Sequence, residues 1–335
     1  MEAKYYVKQD DGAVTCNLCP HSCRIKINKL GICSTRKNQN GALEVINSGI
    51  IASSGLDPIE KKPLYHFHPG SKIYSIGGYG CNLKCVFCQN FEISQCVPEQ
   101  GINLRTYEPA EIAARASILP ENIGIAYTYN EPTVFFEFML GTAEVAKKNK
   151  LLNVMVSNGY INPKPLHDLL NVIDAFSIDL KAFSESFYRG LTGGKLQPVL
   201  ETLYSIRKAS KHLEIAFLVI PGKNDDADEA KSMFLWIAEN LGDNTVLHIN
   251  KYYPAYRLQT PPTSTEKLID LYNTAKEQLK YVYIGNLHAE GTGSNTTCPA
   301  CKSTVIKRSG YHTKITALDS QGYCQICGFG TIVKV

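Results

Sequence analysis

The sequence predicts an α/β protein: a parallel sheet with right-handed crossovers, curled toward a barrel, with small cysteine-rich metal-binding segments at both ends. Three observations predict it. From residue 72 to about 286, short β-patterned apolar runs alternate with helical patterns. Eleven of the twelve cysteines fall into three groups, one near each end and one just after the first β-run. The turn that carries the middle group, Gly77-Gly78-Tyr79-Gly80-Cys81, follows its strand directly, where a parallel barrel collects its functional groups.

The composition bounds what the chain can be. With 335 residues, 44% hydrophobic and 20% charged, it has the makeup of a globular protein with a sizeable core. A net charge of +4 neither demands nor excludes a nucleic-acid partner. No apolar run reaches the roughly eighteen residues of a membrane span, and Met1-Glu2-Ala3-Lys4-Tyr5-Tyr6 lacks a signal peptide's apolar core, so a cytoplasmic protein with no membrane partner is expected. Twelve cysteines in a reducing compartment argue for metals over disulfides.

Residues 1–50 are rich in turn formers and too short to build a core of their own. Cys16, Cys19, Cys23 and Cys33 would staple this segment around a metal. Their CxxCxxxC start fits zinc or an additional iron–sulfur cluster without deciding, zinc being the nearer reading. Residues 51–71 hold three prolines and read as an extended connector lying against the barrel beside the cysteine loop. His66 and His68 within it read as packing residues.

The barrel itself is assigned to residues 72–288. Strands are expected at 73–77, 123–127, 152–157, 175–179, 214–220 and 245–250, with a last one at 281–284. Helices are expected at 108–116, 132–147, 163–170, 198–209, 227–240 and 265–279, several opening on a proline. Residues 289–335 begin as a polar linker and continue into Cys298-Pro299-Ala300-Cys301 and Cys324-Gln325-Ile326-Cys327, the paired knuckles of a ribbon holding zinc or iron. Lys307, Arg308, His312 and Lys314 between the knuckles read as solvated strand faces. Cys96, outside the three groups, reads as a small buried hydrophobe.

Cys81, Cys85 and Cys88 carry the chemistry. CxxxCxxC spacing on one tight loop can hold three irons of a 4Fe-4S cluster and leave the fourth without a protein ligand, which suits chelation of a substrate or cofactor. Zinc sites instead want four ligands, usually as two separated pairs. Other strand ends offer Glu131 before a helix-opening proline, Ser157 and Asn158, Asp179 and Lys181, and an edge bounded by Ile220 and His248. Tyr160, Tyr253 and Tyr256 are further candidates.

With Phe87 as the aromatic before the third cysteine, the loop resembles that of the radical S-adenosylmethionine (SAM) superfamily. Together with Cys16 to Cys23, Asp57 to Phe67, Gln89 to Gln95 and Tyr127 to Thr133, the sequence looks like the AmmeMemoRadiSam system radical SAM enzymes, related to pyruvate formate-lyase activating enzymes. The resemblance runs over nearly the whole chain. It implies a partial (β/α)6 TIM-like barrel, a 4Fe-4S cluster, and reductive cleavage of SAM to a 5′-deoxyadenosyl radical that takes hydrogen from a substrate. Glu131 would bind the SAM amino group, Ser157, Asn158, Asp179 and Lys181 its carboxylate and ribose, and Phe87, Ile220 and His248 would complete the cofactor site. A ferredoxin- or flavodoxin-type electron donor is implied, with a protein or RNA as the substrate class considered. Two alternatives stand beside it: a glycyl-radical activase, although Val156 replaces an aspartate that those enzymes carry, and an inactive metal-binding adapter docking nucleic acid or protein.

Overall fold

β-branched and apolar runs become the strands of one large sheet in the computed structural model, which describes residues 1–95, 105–287 and 293–335. The first segment forms three short antiparallel strands, β1 (Tyr6–Lys8), β2 (Val14–Cys16) and β3 (Arg24–Ile25), and a hairpin of β4 (Arg36–Gln39) and β5 (Ala42–Val45). Asn40 and Gly41, both left-handed at φ 52° and 87°, make the hairpin's turn. The segment expected to be an extended connector contains a strand, β6 (Ser53–Pro58), paired antiparallel with β7 (Lys72–Gly77). Gly55 and Pro58 masked it, yet a proline is tolerated at the end of a strand on the sheet's edge.

The rest of the barrel follows in order: α1 (Phe91–Ser94), α2 (Pro109–Ile118), β8 (Asn122–Tyr127), α3 (Phe136–Lys148), β9 (Leu152–Ser157), α4 (Pro163–Leu170) and β10 (Ala175–Asp179). Then come α5 (Glu185–Phe187), α6 (Leu196–Lys208), β11 (His212–Val219), α7 (Ala227–Leu241), β12 (Val246–Lys251), α8 (Thr265–Lys276) and β13 (Tyr281–Gly285). Neighbours in sequence are neighbours in the sheet, and among the described residues β7 to β13 are all parallel. The outer strands β6 and β13 do not pair with each other among the described residues, so the barrel is partial, with seven parallel strands where six and a possible seventh were expected.

Local chemistry explains the helix starts. Pro109 opens α2 behind a capping box of Glu108 and Glu111, Asp226 accepts from the Asp228 and Glu229 amides, and Ser264 accepts from Lys267. The inner faces of α2, α3 and α6 bury Ile112 and Ala116, Met139 and Ala143, and Leu203 and Ile206 respectively in the core against the sheet.

Residues 296–315 form a small antiparallel sheet, β14 (Thr296–Thr297), β15 (Thr304–Ser309) and β16 (His312–Ile315). It docks at the amino-terminal end of the barrel strands. The amide of His68 donates to Lys334 O (2.7 Å) and that of Lys334 to His66 O (2.8 Å). Arg308, expected on a solvated face, is instead buried: it donates to Tyr65 O (2.6 Å) and Thr296 Oγ1 (2.8 Å) and lies 4.3 Å from the Tyr65 ring centroid. Lys307, His312 and Lys314 are exposed. Cys96 and the start of the linker, Glu290-Gly291-Thr292, lie outside the described residues.

Candidate active site

Two glycines fix the cysteine loop. A side chain at Gly77 would stand 2.5 Å from Thr128 O, and one at Gly80 would stand 2.4 Å from Thr35 Cγ2 and 2.7 Å from Cys33 O, with φ already at +84°. The loop is also held from outside. The amides of Lys84 and Val86 donate to Thr192 O and Leu191 O (2.7 and 3.0 Å), and that of Arg257 to Val86 O (2.9 Å). Cys81, Cys85 and Cys88 thereby share one open pocket at the carboxyl ends of the barrel strands.

The donor set fits an iron–sulfur cluster. All three ligands are soft thiols, and sulfur receives hydrogen bonds here: the Leu83 amide reaches Cys81 Sγ at 3.3 Å and the Asn158 side-chain amide at 3.7 Å. Burial pushes the Cys85 thiol up to about 11, while the nearby Lys181 ammonium works the other way.

Glu131, Ser157 and Asn158 meet beside Cys81. Glu131 is buried; its Oε1 accepts from the Thr133 amide (2.9 Å) and Ser157 Oγ (2.8 Å), its Oε2 from the Asn158 amide (2.8 Å). It therefore caps the turn that follows and also presents a carboxylate edge to the pocket. Burial raises its pKa, and these hydrogen bonds partly offset the rise. Asn130, not among the residues expected from the sequence, also lines the pocket, and its buried Oδ1 accepts from no group among the described residues. An ammonium donor would satisfy both acceptors, so this corner fits the amino group of SAM.

Asp179 and Lys181 form an ion pair at 2.9 Å on another wall. Burial alone would depress the lysine, but the Asp179 carboxylate outweighs it and holds its pKa above the ordinary value. Phe87 lines the same pocket, with its ring centroid 6.0 Å from Lys181 Nζ.

The structure does not bring Ile220 or His248 to the pocket. Ile220 is fully buried in the core beyond the end of β11, its amide tied to Asn224 Oδ1 (2.6 Å). His248 sits low in β12, where its Nε2 is 2.7 Å from the buried Glu214 Oε2. Asn250, two residues further along the same face, reaches the pocket instead, as do Ala216 and Leu218 of β11. Tyr160 is buried behind the loop, Tyr256 stacks on Phe91 (4.9 Å), and Tyr253 donates to Asn286 O (3.2 Å). Lys61 and Lys62 are further residues missed. They line the pocket and both pair with Asp57 (2.9 and 2.6 Å); two lysines four and five residues after an aspartate were the available signal.

The terminal cysteines form two different sites. Cys16, Cys19, Cys23 and Cys33 line a pocket of their own. Cys298, Cys301, Cys324 and Cys327 have sulfurs all within 4.8 Å of one another, Cys298 to Cys327 being 3.6 Å and Cys301 to Cys324 3.8 Å. Bonds of about 2.3 Å to one tetrahedral ion set sulfurs about 3.8 Å apart, so this set fits a single zinc or iron.

Comparison with known proteins gives the family. The radical SAM superfamily matches residues 75–234, and the uncharacterized protein MJ0808 of Methanocaldococcus jannaschii is 41% identical over 330 residues, 98% of this chain and 97% of that protein. The chain belongs to the radical SAM superfamily. Members of this superfamily are enzymes, and membership implies a 4Fe-4S cluster and SAM. The Escherichia coli pyruvate formate-lyase 1-activating enzyme is 22% identical over 153 residues, 45% of this chain and 62% of that enzyme. Among solved radical SAM folds, Streptococcus suis SuiB bound to S-adenosylmethionine aligns with a TM-score of 0.50 at 14% identity, over 66% of this chain and 50% of that one. Among the described residues no helix is long and apolar enough to cross a membrane.

Proposed function

We propose that this chain cleaves SAM reductively at a 4Fe-4S cluster held by Cys81, Cys85 and Cys88. The observation that carries the reading is the shared pocket, in which three thiols face a carboxylate edge at Glu131, an unpartnered amide oxygen at Asn130 and the Asp179–Lys181 pair. When bound, the cluster supplies one electron that breaks the S–C5′ bond of SAM, giving methionine and a 5′-deoxyadenosyl radical that takes hydrogen from a substrate. Glu131 and Asn130 receive the amino group of SAM, Lys181 counters its carboxylate, and Asp179 accepts from ribose hydroxyls. The glycine-held loop and the strand ends hold these groups in position around the reacting atoms.

A ferredoxin- or flavodoxin-type protein supplies the electron in this reading, and the open mouth of the pocket supports a protein or RNA substrate. A glycyl-radical activase is one variant of it. Val156 lines the pocket where such an activase carries aspartate, which leaves that variant short of one cation ligand.

Anaerobic reconstitution tests the reading. The iron-loaded protein, given SAM and dithionite, is expected to release 5′-deoxyadenosine, and Glu131→Gln to bind SAM roughly ten- to a hundredfold more weakly, as loss of a charged hydrogen bond implies. Iron-loaded protein that forms no 5′-deoxyadenosine overturns it.

A further inference from the structure

The two sets of four terminal cysteines are built differently, and the difference identifies what the first set holds. In the ribbon the sulfurs stand in mutual contact, as a single ion requires. At the amino terminus Cys16, Cys19, Cys23 and Cys33 instead ring a pocket that Leu18, Ile25, Ile32 and Arg36 also line. Cys16 and Cys23 face each other at the base of the β2–β3 hairpin, where the Cys16 amide donates to Cys23 O (2.9 Å), and Cys33 comes from the loop before β4. A cubane core puts an iron between itself and each thiolate, so its four ligands stand apart around a central space.

Arg36 supplies the second observation. It lines this pocket and its side chain is 1% exposed. Its Nη2 is spent on Glu137 (2.8 and 2.7 Å) and its Nη1 on Lys4 O (3.2 Å), but its buried Nε–H has no partner among the described residues. A buried donor is rarely left unmade, and a sulfide or thiolate within the pocket would accept it. Thr35 Oγ1 lies 3.2 Å from both Cys33 Sγ and Val134 O, so its one proton is within reach of the sulfur.

We propose that Cys16, Cys19, Cys23 and Cys33 hold a second 4Fe-4S cluster, seated against the loop of Cys81. The contact is direct: Cys33 O and Thr35 close over Gly80, the residue before Cys81, and Asn82 after it lines the amino-terminal pocket. Two reduced clusters so placed are close enough for their electron spins to interact.

The test measures iron, acid-labile sulfide and zinc in the anaerobically reconstituted full-length protein, and it does not depend on turnover of SAM. About eight sulfides per chain are expected, two cubanes' worth, with mutually broadened electron paramagnetic resonance signals after full reduction. The triple variant Cys81→Ala, Cys85→Ala, Cys88→Ala is expected to keep about four sulfides and a cubane's visible absorption, and Cys19→Ser with Cys23→Ser to keep about four at the central loop. Wild-type protein with only about four sulfides and a zinc ion beyond any that the ribbon holds overturns the proposal, whichever variants fold. Loss of the central cluster alone would instead tell against the proposed SAM chemistry.

Discussion

Replacing Glu214 with glutamine separates the support of the barrel from its chemistry. Each Glu214 oxygen receives one backbone amide and one imidazole: Oε1 takes the His66 amide (2.8 Å) and His212 Nε2 (2.9 Å), Oε2 the Tyr65 amide (2.9 Å) and His248 Nε2 (2.7 Å). Burial opposes ionisation of this carboxyl, but the two imidazoles hold its pKa well below the usual range. Glutamine would turn an NH2 toward one amide and one imidazole. The histidine can change tautomer, but the backbone N–H cannot, and that orphan costs about 1–3 kcal/mol. The charge on the remaining bonds is lost as well, for a total of about 3–5 kcal/mol. At roughly 2 °C per kcal/mol for a chain of this length, Tm should fall by about 6–10 °C. Because the network lies low in the barrel, SAM affinity, measured in parallel by equilibrium binding, should stay within about twofold. A variant with unchanged Tm and SAM affinity down tenfold or more would refute this reasoning and return His248 to the cofactor site.

Two further outcomes follow from the same structure. Gly80→Ala should strip iron and sulfide from the Cys81 loop, since the new Cβ meets Thr35 and Cys33 on a left-handed backbone that itself costs about 1–2 kcal/mol; Gly190→Ala, with nothing within 4 Å, should leave both unchanged, and equal cluster content in the two variants counts against the loop argument. Burial pushes the His66 imidazole down to about 3, whereas the unfolded chain titrates near 6.5. Below pH 6.5 the unfolded chain binds a proton that the folded one refuses, so this contribution is full above pH 6.5 and is lost as pH falls. By pH 5 the loss is about 2 kcal/mol, 1.5 units at about 1.36 kcal/mol each. Urea midpoints from pH 7.5 to 5 should fall more steeply for the wild type than for His66→Gln, and parallel curves would contradict it.

What the sequence disclosed, and what it hid, follows from periodicity. Strands such as Leu152–Ser157 and Ala175–Asp179 are short, β-rich and bounded by turn formers, so their limits could be read directly. The residues that follow them, Asn158 and Lys181, then had to stand at the carboxyl end of a parallel sheet, and they line the pocket. Strand β6 was hidden because edge position, not composition, decides whether Pro58 can belong to a strand. His248 and Asn250 share a face of β12, and pattern alone gives the face but not the depth. Depth is set by partners from other segments of the chain: His248 pairs with Tyr283 and is tied to Glu214 Oε2 (2.7 Å), whereas Asn250 pairs with Leu218 and Gly285.

That register also explains how the ribbon acts on the rest of the molecule. Tyr283 Oη bridges His66 Nε2 (2.6 Å) and Thr296 Oγ1 (2.8 Å), and Arg308 of the ribbon donates to Thr296 and to Tyr65 O. Glu214 joins this network through the amides of the same Tyr65 and His66. The carboxyl-terminal four-cysteine ribbon therefore braces the barrel at its amino-terminal end, away from the thiols of the cysteine loop, while Cys33 of the amino-terminal set presses on the loop itself at Gly80. Loss of metal from the ribbon should lower stability through Arg308 and Tyr65, whereas loss from the amino-terminal set should disturb the geometry of Cys81.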